Sequence, residues 1–189
     1  MARRILYALL SSLLLSVPWL GGGGLTLLVA FVPLLMLQQS QKGQTGPKGK
    51  PRQLWPYLAL TFSLWWLATT FWVGYAAWIG IVAAVIIVTL LNTAVWLIYH
   101  AVWKRAKRPL AYTLLVTAWI GYEYLYTVGE ISFPWLTLGN GFAGNVHLVQ
   151  WYEYTGVFGG SLWVLVCNLL IFEAITTWKR WTAWIAPAL

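Results

Sequence analysis

Residues 78–103 read WIGIVAAVIIVTLLNTAVWLIYHAVW and are followed at once by KRAKRP, residues 104–109. The run carries no Lys, Arg, Asp or Glu, and a helix needs about 20 such residues to cross the hydrocarbon core of a bilayer. Its apolar residues are continuous and do not alternate with period two, which argues against a barrel strand. The basic cluster that stops it is the usual mark of a membrane edge. This one stretch sets the expected class: an all-α, polytopic membrane helical bundle.

Working outward, the same pattern recurs. Helices are expected over about 5–20, 25–38, 54–73, 78–103, 110–128 and 157–178, about six transmembrane helices in a single domain spanning 1–189, with 181–189 starting a further helix left unfinished. Composition agrees, since 60% of residues are apolar and only 8% charged, too little polar surface for a water-soluble fold. The start, MARRILYALLSSLLLSVPW, has the basic and apolar regions of a signal peptide. It lacks a small-x-small cleavage site before Pro18, and the reading adopted is an uncleaved first helix. GGGG at 21–24 fits a tight turn, because glycine accepts positive φ.

The net charge of +8 does not point to nucleic acid. The basic residues form short groups at the edges of apolar runs: Arg3 and Arg4; Lys42, Lys48, Lys50 and Arg52; Lys104, Arg105, Lys107 and Arg108; Lys179 and Arg180. Assigning alternate loops to alternate sides puts all twelve on one side, which the positive-inside rule makes the cytoplasm. The N-terminus is then cytoplasmic, and the long connection between the fifth and sixth helices faces outward, to the periplasm. Trp19, Trp55, Trp72, Trp78, Trp103, Trp135 and Trp178 fall near helix ends, where amphipathic rings sit at headgroup level.

That connection, about 28 residues long, opens with EISFPWLTLGNGF (130–142) and continues into VQWYEYTG (149–156). Long loops of this kind are usually functional or folded back. Pro134 fixes φ, Gly139, Gly141 and Gly144 permit bends, and Phe133, Trp135, Phe142, Trp151 and Tyr152 suit an interface, so a short re-entrant or surface-lying element is expected. Gln150 and Glu153 share a face if their segment is helical, as structural hydrogen-bonders or as substrate contacts.

All four carboxylates are Glu: Glu123, Glu130, Glu153 and Glu173. Glu123 lies inside a span, where a charged group costs about 2.5–3.5 kcal/mol, so it either ties helices together through Tyr122, Tyr126 or Asn92 or handles substrate. Glu173, near the basic edge, is expected to be solvated or within reach of Lys179 or Arg180. His147 stands without a second ligand at metal spacing, and Cys167 sits mid-helix with no adjacent cation, so neither a metal, a cofactor nor a thiolate nucleophile is expected. No Ser-His-Asp set, phosphate loop or dinucleotide fingerprint is present.

Three segments carry a resemblance: VPWLGGGGLTLLVAFVPLL (17–35), WIGYEYLYTVGEISFPWLTLGNGF (119–142) and VQWYEYTGVFGGSLWVLVCNLLIF (149–172). Together they resemble the N-terminal membrane domain of apolipoprotein N-acyltransferases; the third and fourth helices match only in hydropathy and spacing. The resemblance implies transfer of an acyl chain from membrane phospholipid, through a Cys thioester, to the α-amine of the diacylglyceryl-cysteine of an apolipoprotein substrate. In the family a periplasmic nitrilase-like domain supplies the Glu-Lys-Cys triad; residues 1–189 do not contain it and are expected to be inactive alone. Phe133, Pro134 and Trp135 would be part of an interfacial platform beneath that domain in the inner membrane. Some members carry Arg where this chain has Tyr126, so no phosphate-pairing role passes to that position. The alternative expectation is a stand-alone membrane scaffold that receives a nitrilase-like partner in trans.

Overall fold

The computed structural model describes residues 1–41, 53–129 and 134–185, with side chains through residue 178. Lys42, Lys48, Lys50, Arg52, Glu130, Phe133 and the side chains of Lys179 and Arg180 lie outside the described residues. Every regular element among those described is helical. They are α1 (Ala2–Ser16), α2 (Leu27–Ala30), α3 (Val32–Ser40), α4 (Trp55–Thr70), α5 (Gly74–Trp103), α6 (Arg108–Val128) and α7 (Tyr152–Ile185), joined by short 3-10 turns.

Prolines set many of the boundaries. Pro33, Pro56 and Pro109 sit in the first turns of α3, α4 and α6, where a missing N–H costs nothing and a fixed φ suits the helix. Pro18 converts the end of α1 into the 3-10 turn Val17–Leu20, which closes on Gly21 at φ 91°, a left-handed conformation that favours glycine.

Three helical stretches are long and apolar enough to cross a membrane: Ala2–Leu20, Trp55–Trp103 and Tyr152–Trp178. The second contains α4, the 3-10 turn Phe71–Val73 and α5, whose helical path is interrupted at Ala77 (φ −153°, ψ 81°). Because α4 and α5 pack on each other, the chain reverses at this break. The bundle closes as a ring, with α1 against α4, α4 against α5, α5 against α6 and α6 against α7, while α2 and α3 fill the space between α1 and α7.

The stretch expected as one helix over 25–38 is broken at Phe31. Pro33 cannot donate to a carbonyl one turn back and its ring crowds that turn, so an unbroken helix is disfavoured. Two neighbours satisfy the backbone freed by the break. Asn168 of α7 accepts the Phe31 N–H (2.7 Å) and donates to the Leu27 carbonyl (2.7 Å), while the Ser11 hydroxyl of α1 donates to the Ala30 carbonyl (2.7 Å). Irregular backbone at membrane depth is tolerated only when buried and satisfied in this way.

Phe31 then fills the centre of the ring. It packs edge-on against Trp96 (5.3 Å between centroids) and Trp119 (4.9 Å), and Phe62 closes the circle against the same two rings at 6.3 and 5.9 Å. All four are buried, one each from the α2–α3 break, α4, α5 and α6. Against α1 the packing relies on small residues, Ala8, Ser12 and Ser16 at four-residue spacing, and Thr61 of α4 donates to the Ala8 carbonyl (3.1 Å). Outward faces carry Leu6, Leu13, Ile86, Leu90, Leu125 and Leu170, all exposed, as in a bundle whose solvent is hydrocarbon.

Candidate functional site

The connection, residues 129–151, leads into a first turn of α7 that Gly156, at φ 64°, sets off from the rest of the helix. From Pro134 onward it winds as three 3-10 turns, Pro134–Leu136, Leu138–Phe142 and Val146–Leu148. The Pro134 carbonyl accepts from both the Thr137 hydroxyl and the Asn140 amide at 2.9 Å, which tightens the first two turns into one unit.

LGNGF, residues 138–142, is tucked into the bundle: Leu138, Gly139, Gly141 and Phe142 are buried. Its backbone is held from three directions. Glu123 of α6 accepts the Leu138 N–H through Oε1 (2.9 Å), Ser161 of α7 accepts the Gly139 N–H (3.1 Å), and the Tyr152 hydroxyl donates to the Gly139 carbonyl (2.9 Å). On the remaining side the Gly24 N–H donates to Asn145 Oδ1 (2.8 Å). Gly139 is required by proximity, since a Cβ there would stand 2.0 Å from the Val157 carbonyl oxygen.

Glu123 is buried, with 4% of its surface exposed. Its Oε1 also accepts from the Trp119 indole (3.0 Å), so this carboxylate ties α6 to itself and to the connection. Tyr122, Tyr126 and Asn92, the partners the sequence offered, instead line a cavity beside it together with Trp65, Trp66, Trp119, Leu136 and Thr137. Among the described residues no donor meets Oε2 in hydrogen-bonding geometry, and the Ser161 hydroxyl lies beside the carboxyl.

The other candidates divide clearly. Trp135 is half exposed, stacks edge-on against Trp72 (5.7 Å) and accepts the Trp19 indole N–H on its carbonyl (3.1 Å), so three tryptophans from separate segments meet at this face. Pro134 starts the turn that places it. Gln150 and Glu153 are exposed; Gln150 precedes α7 and donates to the Val146 carbonyl (3.0 Å), whereas Glu153 lies in the first turn of α7. Glu173, partly exposed, pairs with Arg108 and accepts from the Tyr112 hydroxyl, pinning the start of α6 to α7, while the side chains of Lys179 and Arg180 lie outside the described residues. Asn168, Ser161 and Asn145 escaped the sequence reading. Asn168, a lone amide in VCNLLIF, was the one with a usable signal, since polar residues inside spans often bond between helices.

Residues 8–170 match the family described as the apolipoprotein N-acyltransferase N-terminal domain. The chain belongs to this family. A curated apolipoprotein N-acyltransferase of Chlorobaculum tepidum is 29% identical over 144 residues, a stretch that covers 76% of this chain and 26% of the relative. The chain thus spans about a quarter of the length of that relative. No solved structure matches. Family membership and the apolar outward faces together make this a membrane protein.

Proposed function

We propose that residues 1–189 act as the membrane domain of an apolipoprotein N-acyltransferase, which moves an acyl chain from phospholipid to the N-terminal diacylglyceryl-cysteine of apolipoproteins. The observation that carries this reading is the family match over residues 8–170. The domain crosses the inner membrane about six times, counting α1, the 24–40 segment and α4 to α7. Its N-terminus is cytoplasmic and the 129–151 connection lies on the periplasmic side.

The chemistry belongs to a nitrilase-like domain with a Glu-Lys-Cys triad, and residues 1–189 by themselves are inactive. Their part is positional. Buried LGNGF fixes the level of the connection against α6 and α7, and the Trp19–Trp135–Trp72 face supports that domain where lipid-borne substrates arrive laterally. Holding two acylated reactants at one surface replaces an encounter in three dimensions by one in two.

The test uses protein purified from its own membranes, placed in phospholipid vesicles with a diacylglyceryl-cysteine peptide and read by mass. Gain of one acyl chain on the peptide is expected, and residues 1–189 expressed alone should give none. Trp135→Ala should slow turnover about fivefold, an energetic effect on the order of 1 kcal/mol. Its unfolding midpoint should fall by only about 2–4 °C, the scale of one lost aromatic edge contact. Acylation by residues 1–189 alone, or none by the native preparation, would overturn the reading.

A further inference from the structure

We propose that the cavity beside Glu123 is a binding site for a primary ammonium group, with Glu123 as its counter-ion. The starting point is an unbalanced buried acceptor. Glu123 is 4% exposed, lines the cavity, and spends Oε1 on Trp119 and Leu138, while among the described residues no cation and no donor in bonding geometry meets Oε2, the Ser161 hydroxyl being the polar group beside it. No Lys or Arg is among the described residues lining the cavity. Arg108, at the start of the same helix, is fifteen residues away, about 22 Å along the axis at 1.5 Å per residue.

The walls are suited to a cation. Trp65, Trp66, Trp119, Tyr122 and Tyr126 contribute rings, whose faces attract positive charge, most strongly when it is desolvated. Asn92 and Thr137 add polar atoms able to accept further N–H bonds. The free space holds little more than the centre of one water-sized molecule. That space suits an –NH3⁺ better than the bulkier trimethylammonium.

Access is also defined. Among the lining residues only Tyr122 and Tyr126 are partly exposed, and their rings stack at 6.0 Å, so the mouth lies at this pair. Glu123 is five residues, about 7.5 Å, short of the C-terminal end of α6, within reach of a group entering from that end. The primary ammonium can come from an aminophospholipid headgroup or from the free α-amine of a lipid-anchored peptide.

The test puts the native protein in phosphatidylglycerol nanodiscs and titrates ethanolamine against choline, following the unfolding midpoint and tryptophan emission. Ethanolamine should give a saturable rise in midpoint and choline none, because a ligand bound only by the folded state stabilises it. Glu123→Gln keeps an acceptor for Leu138 and Trp119 but loses the charge, and should weaken ethanolamine binding at least about tenfold. Tyr126→Leu, at the mouth, should weaken it about threefold. Phosphatidylethanolamine nanodiscs, and a diacylglyceryl-cysteine peptide with a free or an acetylated amine in phosphatidylglycerol, then identify the source by which one reproduces the shift. The site is overturned by no saturable response in the unaltered protein, by equal responses to choline and ethanolamine, by an unchanged response in Glu123→Gln, or by a cavity holding only water under saturating ethanolamine. Binding is read without acyl transfer, so failure here leaves the proposed function standing, and inactivity in the acylation test leaves this site standing.

Discussion

Replacing Asn168 by Leu is expected to destabilise the bundle by about 2–4 kcal/mol, because two buried backbone groups, the Phe31 N–H and the Leu27 carbonyl, lose their partner at about 1–3 kcal/mol each. The lower part of that range reflects the modest worth of single hydrogen bonds between membrane helices. Leu keeps the volume, so packing loss does not explain the change. The third bond of Asn168, to the Val164 carbonyl one turn back, matters less, since that oxygen lies within a continuous helix. A fall of about 10 °C in the unfolding midpoint in mild detergent is expected for a domain of this size. Ser11→Ala, which removes one bond to the same break, should cost about 1 kcal/mol. Equal midpoints for Asn168→Leu and the unaltered protein would mean that the break at Phe31 is held by packing alone.

Gly139→Ala should be the most damaging single methyl group in the connection. The added Cβ would stand 2.0 Å from the Val157 carbonyl oxygen and 3.0 Å from its carbon, and backbone cannot step aside as a flexible side-chain end can. Moving the segment away strains the bonds from Gly139 to Ser161 and Tyr152 and from Leu138 to Glu123 together. Overpacking alone costs about 1–3 kcal/mol, and with these bonds weakened a loss of about 3 kcal/mol is expected. Faster protease cleavage within 134–149 should accompany the lowered midpoint. Gly144→Ala is the control: a Cβ there meets nothing within 4 Å, and its effect should stay within about 0.5 kcal/mol. Similar behaviour of the two variants would show that the connection is not clamped at Gly139.

The apolar runs and the prolines made the helices legible, because both act locally. Hydrocarbon-length runs have few conformational options, and Pro18, Pro33, Pro56 and Pro109 all fall at helix ends or starts. The glycines at 21–24 announced a turn, which closes at Gly21 with positive φ. The break at Phe31 was also written in Pro33, but a continuous apolar run outweighed one residue when read by hydropathy. What holds it, Asn168 and Ser11, lies 137 and 19 residues away in sequence, a pairing that only the folded ring creates.

The candidate site was legible in part for the same reason. Glu123 stood out as a carboxylate in a span, and EISFPWLTLGNGF as an aromatic, bend-rich interruption. Their connection, Glu123 Oε1 to the Leu138 N–H, uses a backbone group and leaves no mark on residue identity. The tyrosines and Asn92 that looked like partners line the neighbouring cavity instead. Glu173 was read by its distance in sequence from Lys179 and Arg180, whereas α6 brings Arg108 to it across the bundle.

The most direct measurement is the mass of mature lipoprotein N-termini in cells depleted of this protein. An apolipoprotein N-acyltransferase membrane domain predicts that diacylglyceryl-cysteine with a free α-amine accumulates as the N-acylated form falls. Lipoproteins that remain fully N-acylated after depletion, in cells with no second source of the activity, would contradict the assignment.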